Sequence, residues 1–273
     1  MYIIDHTLCN LLMEEGRPQI YYEGHPLRPF DAVIPRIGAS VTQQGAAVIA
    51  QFELMDTFTV VRANALQLSR DKLRCLQQML RQALPVPNTI ALGQQGDLWS
   101  AINALGGLPV IIKLLEGTHG IGVILCESFQ QTESTVEAFH RLKERVIMQE
   151  FIKEAKGADV RALVVAGEVV AVMKRQAKEG EFRSNLHRGA SASVEKLTAN
   201  EATVVSRAAK AVGLSVAGVD LLRSERGPLI MEVNASPGLE GIETITGINV
   251  AAKIMRFIEK KVKERRRAQA KLR

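Results

Sequence analysis

The segment from Gly218 to Gly241 constrains what this chain can fold into more than any other part of the sequence. Two apolar runs, Ser215–Leu222 and Pro228–Val233, flank a polar break at Arg223–Gly227. Apolar runs separated by a short polar stretch that contains glycine are typical of a β-hairpin. We therefore predict two antiparallel strands here, with the turn centred near Arg226.

Three oxygen-bearing side chains of this hairpin are predicted to converge. Side chains alternate along a strand, so Glu232 and Asn234 share one face, and the turn places Asp220 opposite Glu232. Two carboxylates buried together are costly without a cation, and hard oxygen ligands suit Mg²⁺. The alternative is a solvated polar face on an edge hairpin. The residues from Asn234 to Gly238 (NASPG) predict a sharp turn that cannot continue the sheet. This turn favours the metal site over the solvated face.

Composition sets the broad class of the protein. The chain has 273 residues, of which 47% are hydrophobic and 23% charged, as is ordinary for a soluble α/β protein of two or three lobes. The sequence has neither an apolar run long enough to span a membrane nor a signal peptide, so the cytoplasm is the expected location. Cys9, Cys75 and Cys126 are widely spaced, which favours buried hydrophobic roles over disulfides or zinc binding.

The excess positive charge lies at the C-terminus. Residues 259–273 hold eight Lys or Arg and two Glu, a net of +6 that equals the net charge of the whole chain. The body is therefore neutral, which argues against a direct nucleic-acid function. A solvated helix end or frayed terminus is the simpler interpretation of the tail, and a basic arm that touches RNA or an acidic partner is the alternative.

Hydrophobic patterns predict alternating hairpins and helices, which indicates α+β lobes rather than one doubly wound parallel sheet. Strands are predicted at Met1–Ile4, Asp31–Arg36, Leu108–Leu115, Val123–Glu127, Val146–Phe151, Val160–Val165 and Glu168–Arg175. Helices are predicted at Gly45–Leu54, Ser69–Ala83 (capped by Ser69), Thr132–Lys143, Asn200–Val212 and Asn249–Arg267. Residues 176–193 are predicted to be a loop.

A lysine and a glycine-rich loop form a second candidate constellation. Lys113 stands on a predicted strand and is followed by a turn that contains Gly117, Gly120 and Gly122. Backbone N–H groups of such a loop can close over phosphates. The loop is neither a Walker A motif nor a Rossmann fingerprint, and a plain β-turn is the simpler interpretation. Together with the hairpin triad, it suggests a nucleotide site.

Two further groups carry polar chemistry. The segment 173–189 has few apolar residues and concentrates charged and polar side chains that could stabilise a reacting phosphoryl or acyl phosphate, with an exposed basic loop as the alternative. These side chains are Arg175, Arg183, Asn185, His187 and Arg188. The apolar strand that ends in Glu150 and Phe151 could present its backbone to a flat base, and Asp159 could accept a hydrogen bond from a ribose.

Taken in order, these motifs resemble the ATP-grasp superfamily, and closely its RimK-type members, which add glutamate to the C-terminus of small-subunit ribosomal protein six. The similarity runs from about Val33 to Arg256. It is densest at PVIIKLLEGTHGIGV, MQEFIKEAKGADVRALVV, GEFRSNLHRGA and GVDLLRSERGPLIMEVNASPGLEGIE. The resemblance implies an ATP-grasp fold, in which two α+β subdomains grip ATP behind an α/β first lobe. It also implies a carboxylate–amine ligase that forms an acyl phosphate.

The resemblance also implies residue roles. ATP would be held by Lys72, Lys113, the flap glycines Gly117, Gly120 and Gly122, Glu150 and Phe151 at the adenine, Asp159 at the ribose, and Arg183, Ser184 and Asn185 near the phosphates. Asp220, Glu232 and Asn234 would bind two Mg²⁺ ions, or Mn²⁺ in their place. The catalytic arginines would be Arg175, Arg183 and Arg188, with Arg175 and Arg188 facing the acyl phosphate and the incoming amino acid.

The same resemblance divides the chain into a first lobe at 1–65, a small subdomain with the flap at 66–148, a large subdomain with the metal site at 149–258, and a basic tail at 259–273. By the same resemblance, we expect the first lobe to be short by about one β-α unit of the family pattern. A homotetramer is expected from the resemblance. Poly-glutamate synthesis is a further activity that this glutamate ligase could have. Two alternatives stay open: an ATP-grasp ligase that joins an amino acid to a small molecule or carrier protein, and a catalytically idle ATP-binding protein on the ribosome.

Overall fold

The computed structural model describes residues 2–93, 96–115, 122–185 and 189–271, and it mixes strands with helices as the sequence predicts. The strands are β1 Cys9–Leu12, β2 Gln19–Tyr22, β3 His25–Pro26, β4 Ala32–Val33, β5 Phe58–Thr59, β6 Thr89–Ala91, β7 Val110–Leu114, β8 Val123–Cys126, β9 Val146–Glu150, β10 Ala158–Val165, β11 Glu168–Gln176, β12 Ser191–Val194, β13 Val216–Ser224 and β14 Gly227–Asn234. The helices are α1 Thr42–Leu54, α2 Ala63–Arg70, α3 Lys72–Arg81, α4 Leu98–Ala104, α5 Phe129–Arg141, α6 Ala199–Val212, α7 Glu240–Thr246 and α8 Val250–Lys271.

The largest sheet has five antiparallel strands in the order β12-β11-β10-β13-β14. One face of its central strand, with Val160, Ala162 and Val164, packs in a core with α2, α3 and α6. The opposite face, with Leu163 and Val165, packs in a second core with α7 and α8. That second face is apolar only at the end that carries Leu163 and Val165. Side chains alternate along a strand, and the residues that share this face at its other end are charged.

A second sheet of four antiparallel strands, in the order β6-β9-β7-β8, has its own core. Val110 and Ile112 of β7 and Met148 of β9 are fully buried there against α4 and α5. Ile147 faces the other way and packs with Leu76 of α3. The two sheets therefore lie on either side of α3, which joins their cores.

The first lobe differs from its prediction. Residues 2–4 are not a strand, and Tyr2 and Ile3 are exposed. Asp5 Oδ1 accepts a hydrogen bond from the Thr7 backbone N–H (2.9 Å) and caps a single 3-10 turn. The regular structure comes later, as the three-stranded sheet β1-β2-β3 packed on α1. Of the strand predicted at Asp31–Arg36 only β4 forms, in parallel with β5, because Pro35 has no N–H to continue the ladder.

The helix predicted at Ser69–Ala83 forms over most of its length as α3, but its predicted start and cap are wrong, because Ser69 belongs to α2 and the chain breaks at Asp71. The Asp71 side chain accepts from the Arg74 backbone N–H (3.0 Å) and caps α3, whereas the Ser69 hydroxyl donates to the Leu66 carbonyl (2.8 Å) inside α2. The sequence pattern also missed α4, α7 and strand β12, which lies partly in the predicted loop at 176–193.

The C-terminal basic segment is helical rather than frayed. Helix α8 continues to Lys271, and Arg265 donates to the Asp56 carbonyl (2.8 Å) and carboxylate, while Arg266 donates to Asp31 (2.5 Å). Two positive charges of the tail are thus paired with the first lobe. In the described part of the chain no helix combines the length and apolar character that crossing a membrane requires.

Candidate active site

A cleft of about 1010 Å³ opens between the charged end of the five-stranded sheet, the four-stranded sheet and the rim of the first lobe. The predicted site side chains that line it are Lys72, Lys113, Glu150, Phe151, Asp159, Arg175, Arg183, Ser184, Asn185, Asp220, Glu232 and Asn234. The predicted residues Gly117, Gly120, His187 and Arg188 lie outside the described residues. The fold therefore brings together residues that are spread over more than 160 positions of sequence.

The hairpin that carries the predicted metal ligands has the expected register. Asp220 of β13 is paired with Glu232 of β14, and Gly218 with Asn234. Behind the turn, Asn234 Oδ1 accepts from the Ser236 backbone N–H (2.9 Å), which holds the residues after β14 in a tight bend. The three oxygen-bearing side chains thus occupy neighbouring positions along the cleft.

Asp220 belongs to a network of four charged groups on three adjacent strands. Arg161 donates through Nε and Nη2 to the two Asp220 oxygens (2.7 and 2.6 Å). Arg175 donates through Nε to Asp159 (2.7 Å) and through Nη2 to both Asp159 and Asp220, at 2.9 Å for the latter. The cross-strand pairs Asp159–Arg175 and Arg161–Asp220 generate this arrangement. Two positive and two negative charges balance within the network.

Burial and pairing act in opposite directions on these groups. Burial alone raises the pKa of Asp220, but the attraction and hydrogen bonds of Arg161 and Arg175 more than reverse this and leave that pKa well below its ordinary value. Burial lowers the pKa of Arg175, and the attraction of Asp220 and Asp159 raises it above its ordinary value. Asp220, Arg161 and Arg175 therefore favour their charged forms, whereas burial raises the pKa of Asp159 above its ordinary value despite its bonds to Arg175. Removing one member of the network would leave its partner buried and unpaired.

The donor set fits a hard divalent cation in its chemistry. Glu232 is exposed to the cleft, in contrast to the buried Asp220 opposite it. With Asn234 they offer two carboxylates and an amide oxygen, the kind of ligands that Mg²⁺ takes together with water and phosphates. No group of three or more His, Cys, Asp or Glu suited to a metal occurs in the described ranges, so the amide is needed to complete the set. A cation at Asp220 would share that carboxylate with the two arginines.

The two lysines lie on the opposite wall of the cleft. Lys113 donates through Nζ to Gln149 Oε1 (2.5 Å), and burial, opposed by the attraction of Glu232, lowers its pKa to about 8. Lys72 donates to the Leu115 carbonyl (3.3 Å). Repulsion from the positive charge of Lys72 lowers the pKa of Lys113 further. Both lysines can therefore present positive charge to an anion in the cleft.

Gly122, the described glycine of the predicted flap, does not line the cleft. Its φ of +70° is unfavourable for other residues, and a Cβ there would lie 2.4 Å from Leu114 Cδ1. A glycine is therefore required here by the turn into β8 and its close approach to β7.

The segment after β11 reaches across the cleft. Arg183 donates to both oxygens of Glu181 (3.0 and 2.7 Å) and to the Val123 carbonyl of β8 (3.5 Å). Its attraction and hydrogen bonds lower the pKa of Glu181 to about 2. Ser184 and Asn185 continue this wall. The contact ties the large sheet to β8, the strand that follows the glycine-rich turn.

The carboxylate of Glu150 is already engaged. It accepts from the Asn88 backbone N–H (2.6 Å) and from Arg226 at the turn of the β13–β14 hairpin. Any contact of Glu150 with a base would therefore use its backbone rather than its carboxylate, as the sequence argument supposed. Phe151, the next residue, is half-buried in the cleft wall.

Several cleft residues were not among the predicted set. Arg161 could have been found, because it stands two positions after Asp159 and so shares its face of the strand. Gln149, which accepts from Lys113 and donates to Thr89 Oγ1 (2.8 Å), and Arg70 offered no comparable signal. Their positions follow from the packing of distant elements.

Comparisons with known proteins show which family the chain resembles. Residues 69–258 match the RimK-like ATP-grasp domain, and residues 1–66 match the RimK pre-ATP-grasp domain. The chain is 54% identical over 261 residues to a protein of Syntrophotalea carbinolica named probable alpha-L-glutamate ligase, covering 96% of this chain and 87% of that protein.

Solved structures share the fold. A RimK domain ATP-grasp protein from Sphaerobacter thermophilus aligns with a TM-score of 0.64 at 25% identity, over 84% of this chain and 81% of that one. The ATP-grasp ligase PsnB in complex with a minimal precursor aligns with a TM-score of 0.72 at 19% identity, over 94% and 88% of the two chains. The latter similarity concerns the fold alone.

Proposed function

The chain belongs to the family of RimK-like ATP-grasp proteins, and from this premise we propose that it is an ATP-dependent ligase that joins L-glutamate to a carboxylate through an acyl phosphate. The observation that carries the proposal is the row of charged side chains that faces the cleft on β11, β10, β13 and β14, opposite the two lysines. Phosphoryl transfer depends mainly on positioning and on neutralising charge. The row of charged side chains can both position the reacting groups and neutralise their charge.

The proposed chemistry has two steps. An oxygen of the acceptor carboxylate attacks the γ-phosphorus of ATP, the bond from that phosphorus to the β–γ bridging oxygen breaks, and ADP leaves. The α-amine of glutamate then attacks the acyl carbon, the bond to phosphate breaks, and the amine releases a proton to solvent. Neither step requires a nucleophile from the protein.

We assign the side chains as follows. Lys72, Lys113 and Arg183 neutralise the phosphates of ATP, with Ser184 and Asn185 beside them. Asp159 lies at the ribose end, and Arg175 holds Asp159 and Asp220 in place and places positive charge near the reacting groups. Asp220, Glu232 and Asn234 would hold Mg²⁺ or Mn²⁺, which supplies charge neutralisation at the phosphates when bound.

The domain boundaries belong to the same proposal. Residues 1–65 form the first lobe, 66–148 the small subdomain, 149–258 the large subdomain and 259–273 the basic tail. The acceptor that we propose is the C-terminus of a small-subunit ribosomal protein in the cytoplasm, with a homotetramer as the active assembly. The family resemblance supports these three assignments.

The test is isotope transfer from the acceptor. With ¹⁸O in the acceptor's terminal carboxylate, an acyl phosphate mechanism moves one ¹⁸O atom into the inorganic phosphate that is released. The reaction should also require ATP, glutamate and acceptor together for ADP to appear. Phosphate without ¹⁸O in a reaction that still forms product would contradict the acyl phosphate. Failure of glutamate to stimulate ADP release would contradict the proposed ligase.

A further inference from the structure

Two residues that line the cleft each have a buried polar atom without a hydrogen-bond partner among the residues that the structure describes. These atoms are Arg70 Nε and Ser236 Oγ. Buried polar groups in folded proteins are nearly always satisfied, so each exception calls for an explanation. An unsatisfied buried N–H in a guanidinium group that borders a cleft indicates that a ligand atom is expected beside it.

Arg70 is held in place rather than free in solvent. It ends α2, is half-buried, and donates through Nη2 to the Ile37 carbonyl of the first lobe (2.6 Å). Burial lowers its pKa, and the attraction of Glu232 opposes this. The bond to Ile37 leaves Nε as the donor without a partner at the junction of the first lobe with the cleft.

Two other arginines of this chain show which partner binds the Nε and Nη2 side of a guanidinium group. Arg161 and Arg175 each use Nε and Nη2 to bind the two oxygens of one carboxylate. Guanidinium groups match carboxylates in this fork geometry, and Arg keeps its charge when buried. Because no carboxylate in the described part of the chain is bonded to Nε of Arg70, the matching partner is an oxyanion from a substrate.

The substrates of the proposed function offer such groups. The acceptor carboxylate is consumed in the reaction, whereas glutamate brings two carboxylates that do not react and must be neutralised when it enters a closed cleft. Lys72, Lys113 and Arg183 line the cleft and are the side chains that we assign to the phosphates of ATP. Arg70 lies elsewhere in the cleft, where its bond to the Ile37 carbonyl holds it against the first lobe. Resting on the proposed function, we propose that Arg70 binds an unreactive carboxylate of the incoming amino acid.

The test compares R70Q with R70K and with R74Q, a matched change of an exposed arginine on α3 that does not line the cleft. Three readouts are taken on the full chain: the melting temperature, the dissociation constant of a non-hydrolysable ATP analogue in the presence of Mg²⁺, and the kinetics of glutamate-dependent ADP release with ATP and the acceptor protein present. For R70Q we expect the KM for glutamate to rise about 10- to 100-fold, the loss of one charge-assisted pair. Nucleotide affinity should stay unchanged, R70K should recover part of the loss, and R74Q should match the unmodified chain.

Amide analogues identify the contact and separate it from a structural role. Glutamine lacks the side-chain carboxylate of glutamate, and isoglutamine lacks the α-carboxylate. The analogue that lacks the group bound by Arg70 should show the same KM with R70Q as with the unmodified chain. If R70Q raised the KM of both amides as much as that of glutamate, or if it weakened nucleotide binding instead, the inference would be overturned and Arg70 would be structural or a phosphate ligand.

The proposed function can fail separately. If the unmodified chain releases ADP in response to glutamate and R70Q has the same KM, the ligase assignment stands and the Arg70 assignment is wrong. If the unmodified chain shows no glutamate-dependent ADP release at all, both are wrong.

Discussion

Asp220 and Glu232 are directly paired across the β13–β14 hairpin, yet their surroundings differ. Asp220 is buried and accepts hydrogen bonds from Arg161 and Arg175, whereas Glu232 is exposed to the cleft. One carboxylate is therefore part of the framework of the large sheet as well as of the candidate metal site. The other is available to a ligand.

This difference predicts distinct effects of two matched substitutions. D220N should destabilise the fold by about 3–5 kcal/mol, because it leaves two buried arginines short of their counter-ion. E232Q should leave the melting temperature within a few degrees of the original and lower kcat at least about 100-fold, because it removes a proposed ligand for the cation. Thermal unfolding and ADP release on both variants check this. Normal turnover by E232Q would remove Glu232 from the metal site.

The lowered pKa of Lys113 predicts a pH-dependent affinity for ATP. Free protein loses the Lys113 proton at about pH 8, and bound phosphates favour the protonated form, so ATP binding takes up a proton above that pH. The dissociation constant of ATP should therefore rise by up to about tenfold per pH unit above 8. K113R stays charged in this range and serves as the control, since its affinity should remain flat. A rise of the same size in K113R would assign the effect to another group.

Gly218 lies under the turn that follows β14. A Cβ at this position would lie 2.9 Å from Pro237 Cβ, so G218A must displace the turn that carries Asn234 and Ser236. We expect kcat to fall about tenfold or more, since small misplacements in a phosphoryl-transfer site are costly. The comparison is G93A, where a Cβ meets nothing within 4 Å. Equal kcat values for the two variants would show that the turn tolerates the shift.

The exposed charges of α8 are predicted to act on the acceptor and not on ATP. Lys260, Lys263 and Arg267 are exposed, whereas Arg265 and Arg266 contact the first lobe. The triple variant K260Q/K263Q/R267Q should weaken binding to ribosomes or an acidic acceptor, most strongly at low salt, with unchanged ATP affinity.

A control variant with the same change in charge, R17Q/R28Q/K153Q, replaces exposed basic residues elsewhere. If both triple variants lose acceptor binding equally, the effect reflects net charge and not the α8 surface.

The sequence predicted best those features that depend on neighbouring residues. The β13–β14 hairpin and the pairing of Asp220 with Glu232 follow from strand alternation and one short turn, and the structure confirms both. The break at Asp71 was missed, although capping by Asp is a local signal, because the apolar periodicity continues across it. Local periodicity could not reveal the break, because residues of both helices pack in the same core.

Features that depend on long-range contacts could not be read from the pattern. The carboxylate of Glu150 meets Arg226 from a distant hairpin, and the tail arginines meet Asp31 and Asp56 of the first lobe. Arg70 gains its place in the cleft through the carbonyl of Ile37. In each case a charged residue that is unremarkable in the sequence acquires its partner only when distant parts of the chain come together.

The most direct test of the account is the intact mass of an acceptor protein after incubation with this chain, Mg²⁺, ATP and glutamate. The acceptor to use is the small-subunit ribosomal protein with its natural C-terminus, and the control is the same protein with that terminus amidated. The account predicts additions of one or more glutamate residues to the free C-terminus and none to the amide. An acceptor that stays unmodified while the chain converts ATP to ADP in response to glutamate would contradict the proposed substrate, and the absence of any glutamate-dependent ADP would contradict the ligase itself.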